Sequence, residues 1–148
     1  MSETPFLTAR WVDLLLATYA VPDELLSHRL PPGLALDRWE GHAMVSLVAF
    51  DFLDTRVLGV PWPGFVNFPE LNLRFYVRET GGEQRRGVCF VREYVPSALV
   101  SAIARTLYNE PYVGARYSKD GADHVLHVGG REHRIGWSVE GEPGMAEE

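Results

Sequence analysis

Residues 70–78 carry a row of side chains that can perform acid–base and anion-binding chemistry. In a β-strand, alternate side chains point to opposite faces. One face of this stretch is apolar and carries Leu71, Leu73, Phe75 and Val77. The other face carries an unbroken polar row: Glu70, Asn72, Arg74, Tyr76 and Arg78. This row suits the wall of a polar cavity that holds a small anionic or carbonyl ligand. The alternative is a solvent-exposed face with cross-strand ion pairs, which is common in antiparallel sheets.

Within this row, Glu70 and Arg74 are the candidate catalytic residues. They lie roughly 13 Å apart along a strand, so they can meet only through a ligand or through neighbouring strands. In a cavity, Arg74 can bind a carboxylate bidentately, and a desolvated Glu70 can act as a general acid or base. Asn72 and Tyr76 are candidate ligand-binding residues. We expect Arg74 to point into the interior and to contact a carboxylate, either Glu70 or a bound anion.

The five histidines raise the question of a metal site. His124 and His127 point to opposite faces of a predicted strand and cannot share an ion. If residues 129–130 form a two-residue turn, His127 lies across from Glu132, while His124 and His133 are diagonal on the other face. A catalytic zinc is typically held by three convergent protein ligands. The sequence therefore predicts no metal and no cofactor, and it contains no Ser-His-Asp string, nucleophile elbow or phosphate loop.

Composition limits the class of protein and the kind of mechanism. The 148 residues, 46% of them apolar, predict a single globular domain over 1–148, and the net charge of -6 disfavours nucleic acid or an anionic membrane as a partner. Apolar runs are too short to cross a bilayer, and no secretory signal is visible. The single cysteine, Cys89, excludes an internal disulfide and favours a cytoplasmic location. Lys119 is the only lysine, and arginine cannot form an imine with a carbonyl substrate.

Hydrophobic periodicity and turn residues predict a chain made mostly of strands. Residues 11–21 fit a strand or a helix, and the aromatic and β-branched positions favour the strand. Residues 43–50 are apolar on both faces, which predicts a central strand covered on both sides. The remaining predicted elements are a short helix at 22–26, a hairpin of 34–39 with 42–51, a loop at 58–69, a helix at 97–108, a three-stranded meander over 112–137 and a flexible acidic tail at 140–148.

In chain order, these motifs resemble the YqjF-like family of uncharacterised bacterial proteins, which is similar in fold to acetoacetate decarboxylase. The most specific match is the string of residues 70–77, and the resemblance runs from about residue 11 to the final meander. Other matching positions are Trp11, Leu30-Pro31-Pro32-Gly33-Leu34, Phe68, Gly87-Val88, Arg105, Tyr108 and Pro111-Tyr112. The resemblance implies an α+β, mostly antiparallel β fold, a β-sandwich or cone with a central cavity and one or two short helices. It adds Arg105 and Tyr112 to the candidate ligand-binding residues.

Two departures from the family pattern bear on mechanism. Acetoacetate decarboxylases place their imine-forming lysine just after the predicted helix, and here Tyr112 stands at about that position. We expect Lys119, beside the predicted turn at 120–121, to be solvated and dispensable. Family members also continue with a further carboxy-terminal segment, whereas this chain ends in a short acidic tail. Part of the cavity wall is then either missing or supplied by another subunit.

These observations predict a small-molecule-binding protein with a polar β-cavity. It is either an enzyme that acts on a small carbonyl or carboxylate compound without a Schiff-base lysine, or a ligand sensor. The alternative is a non-catalytic oligomeric structural or ligand-sensing module whose polar row forms ion pairs across a subunit interface. The predicted partners are an unidentified small-molecule ligand and a second copy of the chain in a homo-oligomer. Burial of the polar row discriminates between the two hypotheses.

Overall fold

The computed structural model describes residue 5 and residues 7–61, 64–96, 112–121, 123–138 and 140. These residues form two antiparallel-rich sheets and one short helix. In chain order the elements are β1 (Leu7–Val21), α1 (Glu24–Ser27), β2 (Leu34–Leu36), β3 (Arg38–Trp39), β4 (His42–Val57), β5 (Val60–Pro61), β6 (Phe68–Glu79), β7 (Arg86–Val95), β8 (Tyr112–Gly114), β9 (Arg116–Asp120), β10 (Asp123–Val128) and β11 (Arg131–Ile135). The mostly antiparallel β fold predicted from the sequence is confirmed.

The larger sheet has its long strands in the order β1-β4-β6-β7-β8. All neighbours on this path are antiparallel except β7 and β8, which pair in parallel. The short strands β3 and β5 pair with β4, and β2 pairs with β6. Strand β4 is covered on both faces. Val48 and Phe50 are buried on one face, and Ala43 and Ala49 are buried on the other. The apolar pattern of residues 43–50 therefore correctly predicted a central strand.

The smaller sheet is a meander in the order β11-β10-β9. Gly129 and Gly130 join β10 to β11 with φ angles of 58° and 77°, and such a turn with two positive φ angles matches the twist of a hairpin. The predicted pairing of His127 with Glu132 is present. The meander begins at residue 116, whereas Tyr112–Gly114 form β8 and join the larger sheet.

The hydrophobic core lies on the face of β6 opposite the polar row. At one end, α1 and β2 cover Phe75 and Val77 with Leu26 and Leu36. At the other end, the smaller sheet covers Leu71 with Leu126, and Ala49 and Ala115 complete that cluster. Because side chains alternate along β6, the polar row must lie on the opposite side of the sheet.

Three sequence predictions are modified or left untested. Only Arg38 and Trp39 form the predicted hairpin with β4, because Leu34–Leu36 pair with β6 and bury Leu36 against the core. The predicted helix at 97–108 and most of the acidic tail lie outside the described residues. In the part of the chain that the structure describes, no helix has the length and hydropathy of a membrane span.

Candidate functional site

The polar face of β6 is buried at one end and open at the other. It consists of Glu70, Asn72, Arg74, Tyr76 and Arg78. Glu70 and Asn72 are each 3% exposed, Arg74 and Tyr76 are half-buried, and Arg78 is exposed. Across from this row, β4 places Phe50, Val48 and Ser46 opposite Glu70, Asn72 and Arg74, respectively. A face that buries a carboxyl and an amide so completely is not an ordinary solvated sheet surface.

Glu70 is a carboxyl group in mostly apolar surroundings. Phe50, its cross-strand neighbour, packs in an aromatic cluster with ring centroids 4.6 Å from Trp11 and 5.0 Å from Phe52. The Asn72 amide nitrogen donates a hydrogen bond to Glu70 Oε1 over 3.1 Å. Burial raises the pKa of Glu70 to about 7, although the hydrogen bond from Asn72 acts in the opposite direction. A carboxyl with this pKa can donate or accept a proton at neutral pH.

A transverse polar row extends from Asn72 across the next two strands. Asn72 lies opposite Glu93 on β7, and Glu93 lies opposite Tyr112 on β8. Because directly paired residues share a face, Tyr112 reaches the same side of the sheet as Glu70. Glu93 is 3% exposed and was missed by the sequence analysis. The parallel pairing of β8 with β7, which the sequence did not predict, brings Tyr112 to this position.

Arg74 does not form the ion pair that we expected. Among the described residues, no carboxylate lies within salt-bridge distance of its guanidinium group, and Arg74 Nε is buried without a hydrogen-bond partner. Asn72 Oδ1 is likewise buried without a partner. Glu70 is instead bonded to Asn72, since four residues along a strand separate Glu70 from Arg74. The polar face thus leaves Arg74 Nε and Asn72 Oδ1 buried without a partner among the described residues.

A chain of hydroxyl groups crosses three strands beside Arg74. Ser46 Oγ lies 2.7 Å from Thr18 Oγ1 and 2.6 Å from the Tyr76 hydroxyl oxygen. Ser46 is fully buried within the otherwise apolar run of residues 43–50. A cleft of about 340 Å³ opens beside this chain and is lined by Thr18, Asp37, Arg38, Trp39, Met44, Tyr76 and Arg86.

Lys119 lies on the smaller sheet, away from the polar face. Its Nζ is 2.5 Å from Asp51 Oδ2 and 3.7 Å from Asp13 Oδ2. Lys119 is exposed, as expected for a lysine beside a tight turn, but its ammonium group is ion-paired. The adjacent turn lies over β1 and β4 and brings Lys119 to these carboxylates, a contact between distant segments that the sequence does not reveal.

Two further expectations concern metal and Arg105. Within the described ranges, no group of three or more His, Cys, Asp or Glu side chains is arranged to hold a metal ion. Arg105 lies outside the described residues. Its proposed role in ligand binding therefore stays a prediction.

Comparison with known proteins places the chain in a family. Residues 8–148 match the family model DUF2071, described as an uncharacterized conserved protein. The chain belongs to the DUF2071 family. This DUF2071 chain is 33% identical over 125 residues to the uncharacterized protein YqjF of Bacillus subtilis strain 168. The match covers 83% of the chain and 50% of YqjF, so the chain spans about half the length of this relative. The resemblance inferred from residues 70–77 and the other motifs is confirmed.

Solved structures with the same fold include two enzymes. The crystal structure of acetoacetate decarboxylase from Legionella pneumophila subsp. pneumophila strain Philadelphia 1 matches with a TM-score of 0.63 and 17% identity, over 84% of the DUF2071 chain and 45% of the decarboxylase. The enduracididine biosynthesis enzyme MppR, complexed with pyruvate, matches with a TM-score of 0.59 and 18% identity, over 88% of the chain and 57% of MppR. At this level of identity the likeness shows a common fold, which is acetoacetate decarboxylase-like.

Proposed function

We propose that this chain binds a small carboxylate or carbonyl compound on its polar face and uses Glu70 for acid–base chemistry without a Schiff-base lysine. The observation that carries the proposal is the Glu70 carboxyl, which is 3% exposed and has a pKa raised to about 7 by burial. A buried carboxyl with a pKa near neutrality destabilises the fold when it ionises, and such groups cluster at functional sites.

Arg74 supplies the anion-binding part of the proposal. Its Nε is buried without a hydrogen-bond partner among the described residues, a costly arrangement for a guanidinium group. A ligand carboxylate would accept hydrogen bonds from the guanidinium group in the bidentate geometry that arginine favours. The Thr18–Ser46–Tyr76 hydroxyl chain lies beside it and offers a donor to a carbonyl oxygen. The cleft of about 340 Å³ at Tyr76 gives a small molecule room to approach from solvent.

The roles within the site then follow from geometry and charge. Arg74 binds the carboxylate and Tyr76 orients the carbonyl. Glu70 lies roughly 13 Å from Arg74 along the strand, so it transfers a proton to a ligand that extends along the polar face toward it. Asn72 holds Glu70 through the 3.1 Å hydrogen bond and fixes the direction of its carboxyl. Tyr112 and Arg105 are further ligand-binding candidates, Tyr112 because it shares the face through β8 and Arg105 from the family resemblance.

The fold relatives guide the choice of test compounds. One is an acetoacetate decarboxylase, and the other, MppR, is complexed with pyruvate in its crystal structure. Both names concern small keto acids, which combine the carboxylate and the carbonyl that the polar face is proposed to bind. Pyruvate and acetoacetate are therefore the first compounds to test, with propionate as a carboxylate that lacks the ketone.

Thermal-shift and calorimetric titration with these compounds tests the proposal. We expect a keto acid to raise the melting temperature, because it binds the folded state alone. Arg74→Gln should weaken binding by about tenfold or more, since a hydrogen-bonded charge is lost. Arg92→Gln is the matched control, because Arg92 lies opposite Leu73 on the other face and is exposed. Binding that is absent, or that falls equally in both variants, would exclude the polar face as the site.

A second candidate function is a non-catalytic oligomeric module. The observation that favours it is the exposed apolar edge of β1, where Trp11, Leu14, Leu16 and Tyr19 are each about half exposed or more. Long exposed apolar edges promote association between chains. In that case the keto acids would not bind, and self-association would be the measurable property.

A further inference from the structure

A second cleft lies outside the polar face, between the edge strand β1 and the smaller sheet. Its volume is about 400 Å³. It is lined by Asp13, Leu14, Leu15, Lys119, Gly121, His124 and Trp137. We call this the bulge cleft. None of its lining residues belongs to the polar face, and the keto-acid site proposed above does not use it.

A β-bulge brings Asp13 into the bulge cleft. In the β1–β4 register, Val12 pairs with Asp51 and Leu15 pairs with Ala49, so two residues of β1 face a single residue of β4. Asp13 has a φ of 52°, in the left-handed region that side-chain-bearing residues rarely adopt. Bulges of this kind redirect a side chain and recur next to functional sites. Here the bulge turns the Asp13 carboxylate toward Lys119.

The bulge cleft carries an excess of negative charge. Lys119 Nζ lies 2.5 Å from Asp51 Oδ2 but 3.7 Å from Asp13 Oδ2. The ammonium group therefore interacts more strongly with Asp51 than with Asp13. Two carboxylates and one ammonium leave a net charge of -1 at this point. The Asp13 side chain is 76% exposed and is accessible to a ligand. The nearby Arg134 guanidinium is already bonded to Asp120 and Asp123 at 3.0 Å.

His124 adds no positive charge to the bulge cleft. It is buried, and its Nδ1 is hydrogen-bonded to the Tyr117 hydroxyl. Burial, together with the charge of Lys119, lowers the pKa of the His124 imidazole, so the ring is neutral at physiological pH. Burial likewise raises the pKa of Tyr117, with a further contribution from the charge of Asp51, and keeps its hydroxyl protonated. The pair therefore forms a neutral polar floor.

The walls of the bulge cleft are apolar and aromatic. Trp137 is 50% exposed and Leu14 is 59% exposed, which leaves an indole and an isobutyl group open to a ligand. The face of an indole ring attracts organic cations through its quadrupole, more strongly than any other aromatic side chain does. An accessible carboxylate beside an accessible indole is the arrangement that recognises ammonium groups.

We propose that the bulge cleft is a binding site for an organic ammonium compound, a primary or quaternary amine attached to a small apolar group. The Asp13 carboxylate binds the ammonium group, the Trp137 indole flanks it, and Leu14 and Leu15 contact the apolar part. An anionic ligand is disfavoured, because both Asp13 and Asp51 would repel it while one lysine serves both. The net charge of -6 on the chain also favours the approach of cations.

Isothermal titration of the 148-residue chain with benzyltrimethylammonium and with phenethylamine tests this site, and phenylacetate serves as the anionic analogue. We expect both cations to bind and phenylacetate not to bind. Asp13→Asn should weaken cation binding by about tenfold or more through loss of the charge. Asparagine tolerates a positive φ as aspartate does, so the bulge is retained. Trp137→Leu should weaken binding of the quaternary ammonium compound by a similar factor.

Asp54→Asn is the matched control for Asp13→Asn. Asp54 has a φ of 54°, and its exposed carboxylate is paired with Arg10 at 2.9 Å, outside the bulge cleft. Binding of the cations should survive this change and should also survive Glu70→Gln on the polar face. The proposal is overturned if neither cation binds at millimolar concentration, if phenylacetate binds as well as the cations, or if Asp54→Asn is as damaging as Asp13→Asn. Loss of binding in Glu70→Gln would instead assign the cations to the polar face.

Discussion

The Glu70 carboxyl couples the stability of the fold to pH. Its pKa is raised from 4.5 to about 7 in the folded chain, so folding favours the protonated form. The resulting contribution to the stability of the folded state is fully present below pH 4.5 and is lost as the pH rises through 7. A shift of this size corresponds to about 3 kcal/mol in the free energy of unfolding. We expect Glu70→Gln, which cannot ionise, to be more stable relative to the wild type at pH 8 than at pH 4.5 by up to that amount.

Urea denaturation of both proteins at pH 4.5, 6 and 8 measures this difference. Comparing the two proteins at each pH cancels the titration of all other groups. Glu83→Gln is the control, since Glu83 lies exposed in the turn between β6 and β7. A difference between wild type and Glu70→Gln that does not change with pH would mean that Glu70 titrates as an ordinary surface acid.

Lys119 is expected not to form an imine with a keto acid. It lies on β9, where its ammonium group is bonded to Asp51 over 2.5 Å, and it does not belong to the polar face. Borohydride reduction in the presence of acetoacetate or pyruvate, followed by mass spectrometry, should show no adduct. A covalent adduct mapped to Lys119 would restore a Schiff-base mechanism and move the reactive centre to the smaller sheet.

At the scale of the elements, the turn at 129–130 should set the stability of the meander. Gly130 has a φ of 77°, and a Cβ added there would meet no atom within 4 Å. Gly130→Ala therefore changes backbone strain alone and should lower the free energy of unfolding by about 1 kcal/mol. Gly81 has equal space and no positive φ, so Gly81→Ala should be neutral. Denaturation curves of the two variants measure the difference between their free energies of unfolding. Equal changes in both variants would contradict a turn that requires a positive φ at Gly130.

The strands were predictable wherever a local pattern determines them. Residues 43–50 reveal a central strand because both faces are apolar, and the Gly129-Gly130 pair marks a hairpin because both residues accept positive φ. The pairing of Leu34–Leu36 with β6 was not predictable, since two burial partners compete for Leu36 and only tertiary packing decides between them. The parallel pairing of β8 also depends on distant contacts.

The candidate site was predictable only in part for the same reason. Alternation along one strand identifies Glu70, Asn72, Arg74 and Tyr76 as one row without any knowledge of the neighbours. Ser46 and Thr18 join that row through the register of three strands, and a serine within an apolar run carries no local signal of this role. The expected Glu70–Arg74 pair failed because side chains four residues apart along a strand do not reach each other.

At the scale of the whole molecule, the free edge of β1 should drive self-association. In the part of the chain that the structure describes, this 15-residue strand has β4 on one side and no strand on the other. A second copy can pair with it around a twofold axis and cover Leu16 and Tyr19. We expect sedimentation equilibrium to give a mass above the 16.6 kDa of one chain. Leu16→Lys should restore the monomer.

Leu25→Lys separates an edge effect from a general effect of surface charge. Leu25 is 58% exposed on α1, compared with 48% for Leu16 on β1, and it lies away from the edge. This control variant should associate like the wild type. A wild-type chain that sediments as a monomer at all concentrations would show that the β1 edge does not recruit a second copy.

The pairing of β1 with β4 has a consequence for the order of folding. Val21 pairs with Ala43, whereas Leu7 at the other end of the strand pairs with Val57. The entropic cost of closing a loop rises with its length. The two strands therefore pair first at Val21, and the pairing then extends toward Leu7. Opening by fraying follows the reverse route, and the segment amino-terminal to the Asp13 bulge detaches first. Hydrogen exchange along β1 should therefore be fastest before Asp13 and slowest near Val21.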